Sequence, residues 1–304
     1  MRIVSLLPSA TEIAFALGLG DQVVAVSHEC DYPPAARERP AVTRSPIHGH
    51  ALTSAEIDRH TTEQLRDGGT LYYLDTERLG ELAPDLILTQ ELCDVCAVAQ
   101  PEVERAVREL GSNPRVLSLE PNTLGDVLDT IRVVGAATGR EARAAELVAG
   151  LQDRIEATRE RSAGLRERPR VFCLEWTDPP WVAGHWVPGM VQLAGGRDVL
   201  GRAGEPSTRI AWADVQAAAP EVVVLMPCGY DLERTLADRP VVEALPGWAV
   251  LPAVRAGHVY AVDGSSYFNR PGPRLVDGLE LLAHLLHPEV FARPALERAW
   301  APVG

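Results

Sequence analysis

One ten-residue phrase occurs twice in altered form, and it constrains the fold more than any other feature of the chain. Leu79-Gly80-Glu81-Leu82-Ala83-Pro84-Asp85-Leu86-Ile87-Leu88 and Val215-Gln216-Ala217-Ala218-Ala219-Pro220-Glu221-Val222-Val223-Val224 each read as a helix end, a turn and a short apolar strand. A second echo supports the first. The strand Ile3 to Leu7, with a helix start at Pro8-Ser9 that runs through Ala16-Leu17-Gly18, is matched by a strand Val171 to Leu174 followed by Val191-Gln192-Leu193-Ala194-Gly195-Gly196. Repeated strand–helix grammar of this kind predicts two similar α/β lobes with mostly parallel sheets.

Between the halves, Leu124 to Thr138 and Glu141 to Arg161 read as helices, the second with Leu147, Val148, Leu151 and Ile155 at helical spacing. The predicted organisation is an N-terminal lobe over 1–138, a bridging helix over 139–166 and a C-terminal lobe over 167–304, with Arg166 to Arg170 leading into the second sheet. A connection made of one long helix is stiffer than a loop. It suits a binding protein with small hinge motion better than a lid-gated enzyme.

Composition narrows the partners. A chain of 304 residues with 46% hydrophobic content can bury two ordinary cores. Its net charge of −13, with no basic stripe, opposes binding to nucleic acid or an anionic membrane and suits a cationic or metal-bearing ligand. Lysine is absent, all 29 basic residues being arginine, so a Schiff base, a pyridoxal-phosphate anchor and a P-loop lysine are excluded. No GxSxG, HExxH or EF-hand pattern occurs, and no enzymatic step is expected. Met1-Arg2 enters a strand without a leader pattern, and five cysteines form no regular framework. On that reading the protein is cytoplasmic, the alternative being a periplasmic or cell-surface protein whose leader was removed.

Two loops carry most of the first half's chemistry. Ser27-His28-Glu29-Cys30-Asp31-Tyr32-Pro33 follows the apolar run Val23 to Val26, and Gln90-Glu91-Leu92-Cys93-Asp94-Val95-Cys96 follows Asp85 to Leu88. Ligands of open α/β sheets bind beyond the carboxyl ends of the strands, so these loops should converge on one crevice. Cys93 and Cys96 form a CxxC that Cys30 and His28 could complete to a Cys₃His tetrahedron for zinc or iron. A redox dithiol and direct contact with an organic ligand are the competing readings, contact being favoured because a single CxxC is a weaker metal signal than paired knuckles. His48-Gly49-His50 is a weaker chelating pattern.

In the second half, Glu175-Trp176-Thr177-Asp178-Pro179-Pro180-Trp181-Val182-Ala183-Gly184-His185-Trp186 reads as a Pro- and Gly-broken loop after a strand. All six tryptophans lie in this half, and such rings could line a macrocycle pocket or simply seal an interface. His185, flanked by tryptophans, is the candidate axial ligand to a corrinoid cobalt or haem iron, with His28 its rival. Cys228 follows another strand, whereas Cys173 lies within one and reads as a small buried hydrophobe. Tyr267 and Arg270 precede an apolar helix, Leu275 to Leu286, whose start also carries Arg274; each arginine could meet a ligand amide or carboxylate, or a neighbouring acid.

Ser5-Leu6-Leu7-Pro8-Ser9-Ala10-Thr11-Glu12-Ile13, His28 to Pro33, Pro84 to Gln90 and Ser265 to Leu282 together resemble the cobalamin-binding branch of the ABC-transporter substrate-binding proteins. The resemblance runs over nearly the whole chain. It implies the class III periplasmic-binding fold, two Rossmann-like lobes joined by a long helix, with a ligand held in the cleft between them; such relatives bind siderophores, haem and corrinoids, and the loop tryptophans favour a corrinoid or related metal macrocycle. Glu91, Glu175, Trp176, His185, Trp186, Cys228, Tyr267 and Arg270 are then the expected ligand contacts. In such relatives a glutamate from each lobe docks onto the permease. Here Glu77 takes the first position and the second offers only Ala213 and Asp214, which makes an ABC permease a doubtful partner. The different-class alternative is a cytoplasmic metalloprotein or thiol enzyme built on His28, Cys30, Cys93 and Cys96.

Overall fold

The computed structural model describes residues 1–45, 52–66, 71–90, 100–110 and 114–303. The chain divides into two compact units, the first comprising Met1–Leu52, Glu56–Pro121 and Asp126–Val148, the second Thr53–Ala55, Asn122–Gly125 and Ala149–Gly304.

The first unit runs through β1 (Ile3–Ser5), α1 (Pro8–Ala16), β2 (Val23–Val26), β3 (Thr43–Arg44), α2 (Ser54–Arg66), β4 (Tyr73–Leu74), α3 (Thr76–Leu82), β5 (Leu86–Thr89), α4 (Gln100–Leu110), β6 (Arg115–Ser118) and α5 (Leu124–Thr138), except that Ser54 and Ala55 of α2 and Leu124 and Gly125 of α5 belong to the second unit. Its sheet has the order β2-β1-β5-β6, every pairing parallel, while β3 and β4 form a small antiparallel pair. β1 and β5 are buried at every residue, as strands covered on both faces by helices must be. Val4, Leu6, Ala25, Leu79, Ile87 and Val103 form its core.

The 23-residue helix α6 (Glu141–Ala163) passes from one unit's sequence to the other's. The second unit continues with β7 (Arg170–Trp176), β8 (Trp181–Val182), α7 (Val187–Leu193), β9 (Arg197–Asp198), β10 (Thr208–Arg209), α8 (Trp212–Ala218), β11 (Val222–Leu225), α9 (Leu232–Ala237), α10 (Arg239–Glu243), α11 (Pro252–Ala256), β12 (Val259–Val262), α12 (Gly264–Tyr267), α13 (Leu275–Leu286) and β13 (Trp300–Pro302). Strand order is β10-β8-β7-β11-β12-β13, with β9 paired to the start of β7. β7, β11 and β12 are parallel; β8, β10 and β13 run antiparallel to their neighbours. Phe172 and Leu174 turn into a core with Val223, Leu225 and Trp248. Alternation along the strand therefore places Val171, Cys173 and Glu175 on the other face.

The duplicated phrase folds the same way in both units. Helices α3 and α8 end on Ala83 and Ala219 in the left-handed region, φ 40° and 46°, and a proline follows each before β5 and β11. Proline cannot extend the helix, so chain reversal falls on the alanine.

Three segments differ from the sequence reading. β1 stops at Ser5 rather than Leu7, because Pro8 already occupies the first turn of α1 and the chain must leave the sheet to enter it. β5 starts at Leu86 rather than Asp85, whose side chain instead accepts the Arg2 N–H at 2.6 Å. The stretch from Glu175 to Trp186 is not a single loop. Glu175 and Trp176 complete β7, and Trp181 and Val182 form β8, with Trp176 paired to Trp181 across the ladder.

Candidate functional site

The carboxyl ends of β7, β11 and β12 bring the second unit's predicted residues together. Past β11 the chain turns through Met226-Pro227-Cys228, where the Met226 and Cys228 N–H groups donate to the carbonyls of Leu174 and Glu175, both at 2.9 Å. Past β12, the Asp263 carboxylate caps α12 by accepting the Ser266 N–H, and the Ser265 N–H donates to the Tyr230 carbonyl at 2.9 Å. Gly264 lies so close to the Met226 and Pro227 carbonyls that a Cβ would be at 2.9 and 2.8 Å from them; only glycine lets these loops meet. Trp186 closes the group, its indole N–H donating to the Phe268 carbonyl at 2.7 Å.

Of these residues, Trp186 is buried, at 6% exposure, while Glu175, Trp176, His185, Cys228, Tyr267 and Arg270 are partly buried. Trp176 packs against Tyr230 with ring centroids 5.3 Å apart, and its indole donates to the Asp178 carbonyl at 3.2 Å. His185 stacks on Trp186 at 5.5 Å, with φ at 50°, a strained backbone for a non-glycine residue. Its Nδ1 is buried without a hydrogen-bond partner, and burial lowers its pKa, so the ring is a neutral imidazole near neutrality. Arg274 lies over the Tyr267 ring at 5.9 Å. Cys228 is a free thiol.

Glu175 is the most perturbed carboxylate here. Burial pushes its pKa up to about 7 against the opposing pull of polar groups at Ser207 and Gly184, the Gly184 N–H itself going to Ser207 Oγ at 3.0 Å. Asp198 is also raised by burial; its Oδ1 accepts from the Leu200 and Gly201 N–H groups while Oδ2 is buried with no hydrogen-bond partner. Cys173 is fully buried and its thiol is pushed far up by the same cause.

Sequence reasoning missed two features. Asn269, one residue before Arg270, keeps a buried Oδ1 without a hydrogen-bond partner beside Gly264, and it stands inside the Tyr267-Phe268-Asn269-Arg270 phrase. A polar node joins Ser54, Thr177 and Asp238, with Thr177 Oγ1 2.7 Å from both Ser54 Oγ and Asp238 Oδ2, and the Ser54 hydroxyl also bonded to Asp238. Asp238 is 6% exposed, and nothing in the local sequence marks it.

In the first unit, the loop after β2 places His28 against Thr43, whose Oγ1 is 2.7 Å from Nδ1 and accepts the His28 backbone N–H at 3.0 Å. The ring lies 5.5 Å from Tyr72, with Nε2 3.3 Å from Glu29 Oε1. Cys30 faces another neighbour: buried, it receives the Thr11 hydroxyl at 3.1 Å. Among the described residues, no group of three or more His, Cys, Asp or Glu side chains stands where it could hold a metal ion. Glu91, Cys93, Cys96, His48 and His50 lie outside the described residues.

Two α/β units with chemistry gathered at strand carboxyl ends define a ligand-binding protein of the class III periplasmic-binding fold. The chain belongs to the periplasmic binding protein family, which it matches over residues 3–265. It is 26% identical over 283 residues to a vitamin B12-binding protein of Vibrio cholerae, covering 92% of this chain and 86% of the relative. It is equally identical over 292 residues to an uncharacterized ABC transporter substrate-binding lipoprotein of Bacillus subtilis, covering 95% and 81%. Among solved structures, the periplasmic haem-binding protein RhuT from Roseiflexus in apo form superposes with a TM-score of 0.71 at 26% identity, covering 95% of this chain and 98% of that one.

These matches correct the cytoplasmic expectation. A periplasmic family and a lipoprotein relative point to an extracytoplasmic protein. The cytoplasmic expectation rests on the residues after Met1, which do not decide location.

Proposed function

We propose that this protein captures a corrinoid, or a closely related metal macrocycle such as haem, outside the cytoplasmic membrane and hands it to an ABC permease. The observation that carries this reading is the set at the second unit's strand ends, where aromatic rings, a neutral imidazole and an arginine share one loop cluster. Trp176 and Tyr267 offer ring faces, and Arg270 and Glu175 offer groups for the polar periphery of a macrocycle. His185 supplies an imidazole suited to an axial metal position, since only the neutral ring donates a lone pair. The vitamin B12-binding and haem-binding relatives support the ligand class and leave the choice between the two to binding data.

The permease reading draws on α3 and α8. Glu77 and Asp214 are both exposed acids in the first turns of helices that occupy matching places in the two units' repeated grammar. Either carboxylate can meet an arginine of a membrane partner. Asp214 thus replaces a glutamate with the same charge on a shorter stem.

Titration with hydroxocobalamin, cobinamide and haem is the test. At least one should quench tryptophan fluorescence with a dissociation constant at or below about 1 μM, near 8 kcal/mol. Trp186→Ala should weaken that binding by about 1–3 kcal/mol through loss of a buried aromatic anchor. Elemental analysis addresses the competing reading, because near one zinc or iron per chain, released by Cys93→Ser, would assign the thiols to a permanent metal.

A further inference from the structure

The indole of Trp176 is held at its polar edge by two carbonyls of different origin. Its N–H donates to Asp178 at 3.2 Å and to Ser54 at 3.3 Å. Asp178 lies in the turn that follows the ring and moves with it. Ser54 stands 122 residues away at the start of α2, in a short stretch, 53–55, that groups with the second unit while residues 52 and 56 group with the first. Of the two acceptors, Ser54 is therefore the one that refers the ring to the rest of the unit.

What seats Ser54 is the hydroxyl cage. Ser54 is 1% exposed, its hydroxyl donates to Asp238 Oδ2, and Thr177 Oγ1 lies 2.7 Å from both atoms. Each hydroxyl carries one proton, and Oδ2 is the acceptor within reach of both. Asp238 in turn is rooted in the frame. It directly follows α9, where its N–H donates to the Arg234 carbonyl at 3.2 Å, and the Thr235 hydroxyl fixes α9 to β12 by donating to the Val262 carbonyl at 3.1 Å. The face of the indole leans on the same serine: Tyr230, whose ring centroid is 5.3 Å from that of Trp176, has its hydroxyl 3.5 Å from Ser54 Oγ.

We propose that Asp238 is a positioning residue for Trp176: it seats the Ser54 hydroxyl, and the Ser54 carbonyl fixes the orientation of the indole. The consequence for a ligand rests on the macrocycle reading; the positioning of the ring does not. A ring already held in one orientation costs less to order on binding than one that must be fixed at that moment. Without the carboxylate, the two buried hydroxyls lose their common acceptor, Ser54 shifts, and the indole keeps only the acceptor in its own turn. A purely structural Asp238 would instead loosen the unit as a whole, and Trp186 reports on that, since its buried indole donates to the Phe268 carbonyl.

Exchange of the indole N–H protons in the ligand-free protein, followed by proton–nitrogen NMR, reads the ring directly. The Trp176 signal is the one lost in Trp176→Phe, the Trp186 signal the one lost in Trp186→Phe. In Asp238→Ala and in Ser54→Ala, exchange at Trp176 should be about tenfold or more faster than in the wild type, with Trp186 at its wild-type rate. Thr177→Ser, which keeps the hydroxyl, should match the wild type. Where Asp238→Ala does not fold, Ser54→Ala carries the test. Affinity for hydroxocobalamin or haem should fall about fivefold in Ser54→Ala, and no further in Ser54→Ala/Trp176→Phe than in Trp176→Phe alone. Unchanged exchange at Trp176 in Ser54→Ala, or an equal rise at Trp176 and Trp186, overturns the proposal. Faster exchange at Trp176 alone, in a protein that binds none of the macrocycles, keeps the positioning role and removes the ligand reading. Macrocycle binding that Trp176→Phe weakens and Ser54→Ala does not keeps the ligand reading and overturns the positioning role.

Discussion

The two units share a backbone grammar and differ in what they bury at their strand ends. In the first, the Thr11 hydroxyl behind β1 donates to Ser5 Oγ at 2.8 Å and to Cys30 Sγ, His28 meets Thr43, and Glu12 of α1 is buried. In the second, burial raises the pKa values of Glu175 and Asp198, and Asp238 sits in a hydroxyl cage. Neutral networks are insensitive to pH, whereas buried acids couple structure to proton concentration. The same fold thus carries a hydroxyl–thiol network in one unit and acids with burial-raised pKa values in the other.

The largest effect should come from the hydroxyl cage. Asp238→Ala leaves the Ser54 and Thr177 hydroxyls buried without their acceptor and should cost about 2–4 kcal/mol, read by urea denaturation, whereas Thr11→Val in the neutral network should cost about 1 kcal/mol. Equal losses would remove the contrast between the units.

Next comes Glu175. Its folded pKa lies above the unfolded value, so it destabilises the fold increasingly as pH rises from the usual glutamate range, with the full penalty present above about 7. Glu175→Gln should therefore gain about 1–3 kcal/mol near pH 8 and nothing near pH 4, measured by denaturation at both values. A gain that is the same at both would assign the effect to packing.

The smallest effect probes what the units have in common. Ala83→Gly and Ala219→Gly relieve left-handed backbone at equivalent helix ends and should each stabilise by about 0.5–1 kcal/mol, seen as a matching rise in Tm. Opposite signs at the two positions would break the equivalence.

Much of this architecture is legible in the residues. β2, α5 and α13 fall where the apolar runs and their Gly, Pro and Thr borders place them. The stretch from Glu175 to Trp186 looks like loop because of its carboxylate and paired prolines, while the Trp176–Trp181 cross-strand pair that holds β8 to β7 is a tertiary fact. The gathering of Glu175, Trp176, Cys228 and Tyr267 follows from strand-end logic that the sequence does carry. Asp238 could not be found that way, since its partners stand 61 and 184 residues away and no local spacing records a contact of that kind. Location is a different matter: the residues that build the fold carry no signal for it, and the family supplies the correction.

The central claim is that the second unit's strand ends hold a metal macrocycle with His185 at its metal. Absorption spectra of wild type and His185→Ala mixed with haem and with hydroxocobalamin test it most directly. The account predicts an imidazole-type shift of the metal's absorption bands in the wild type that is lost in His185→Ala, with affinity reduced about tenfold or more. Unchanged spectra in the wild type with both ligands, or the same shift in both proteins, would contradict it.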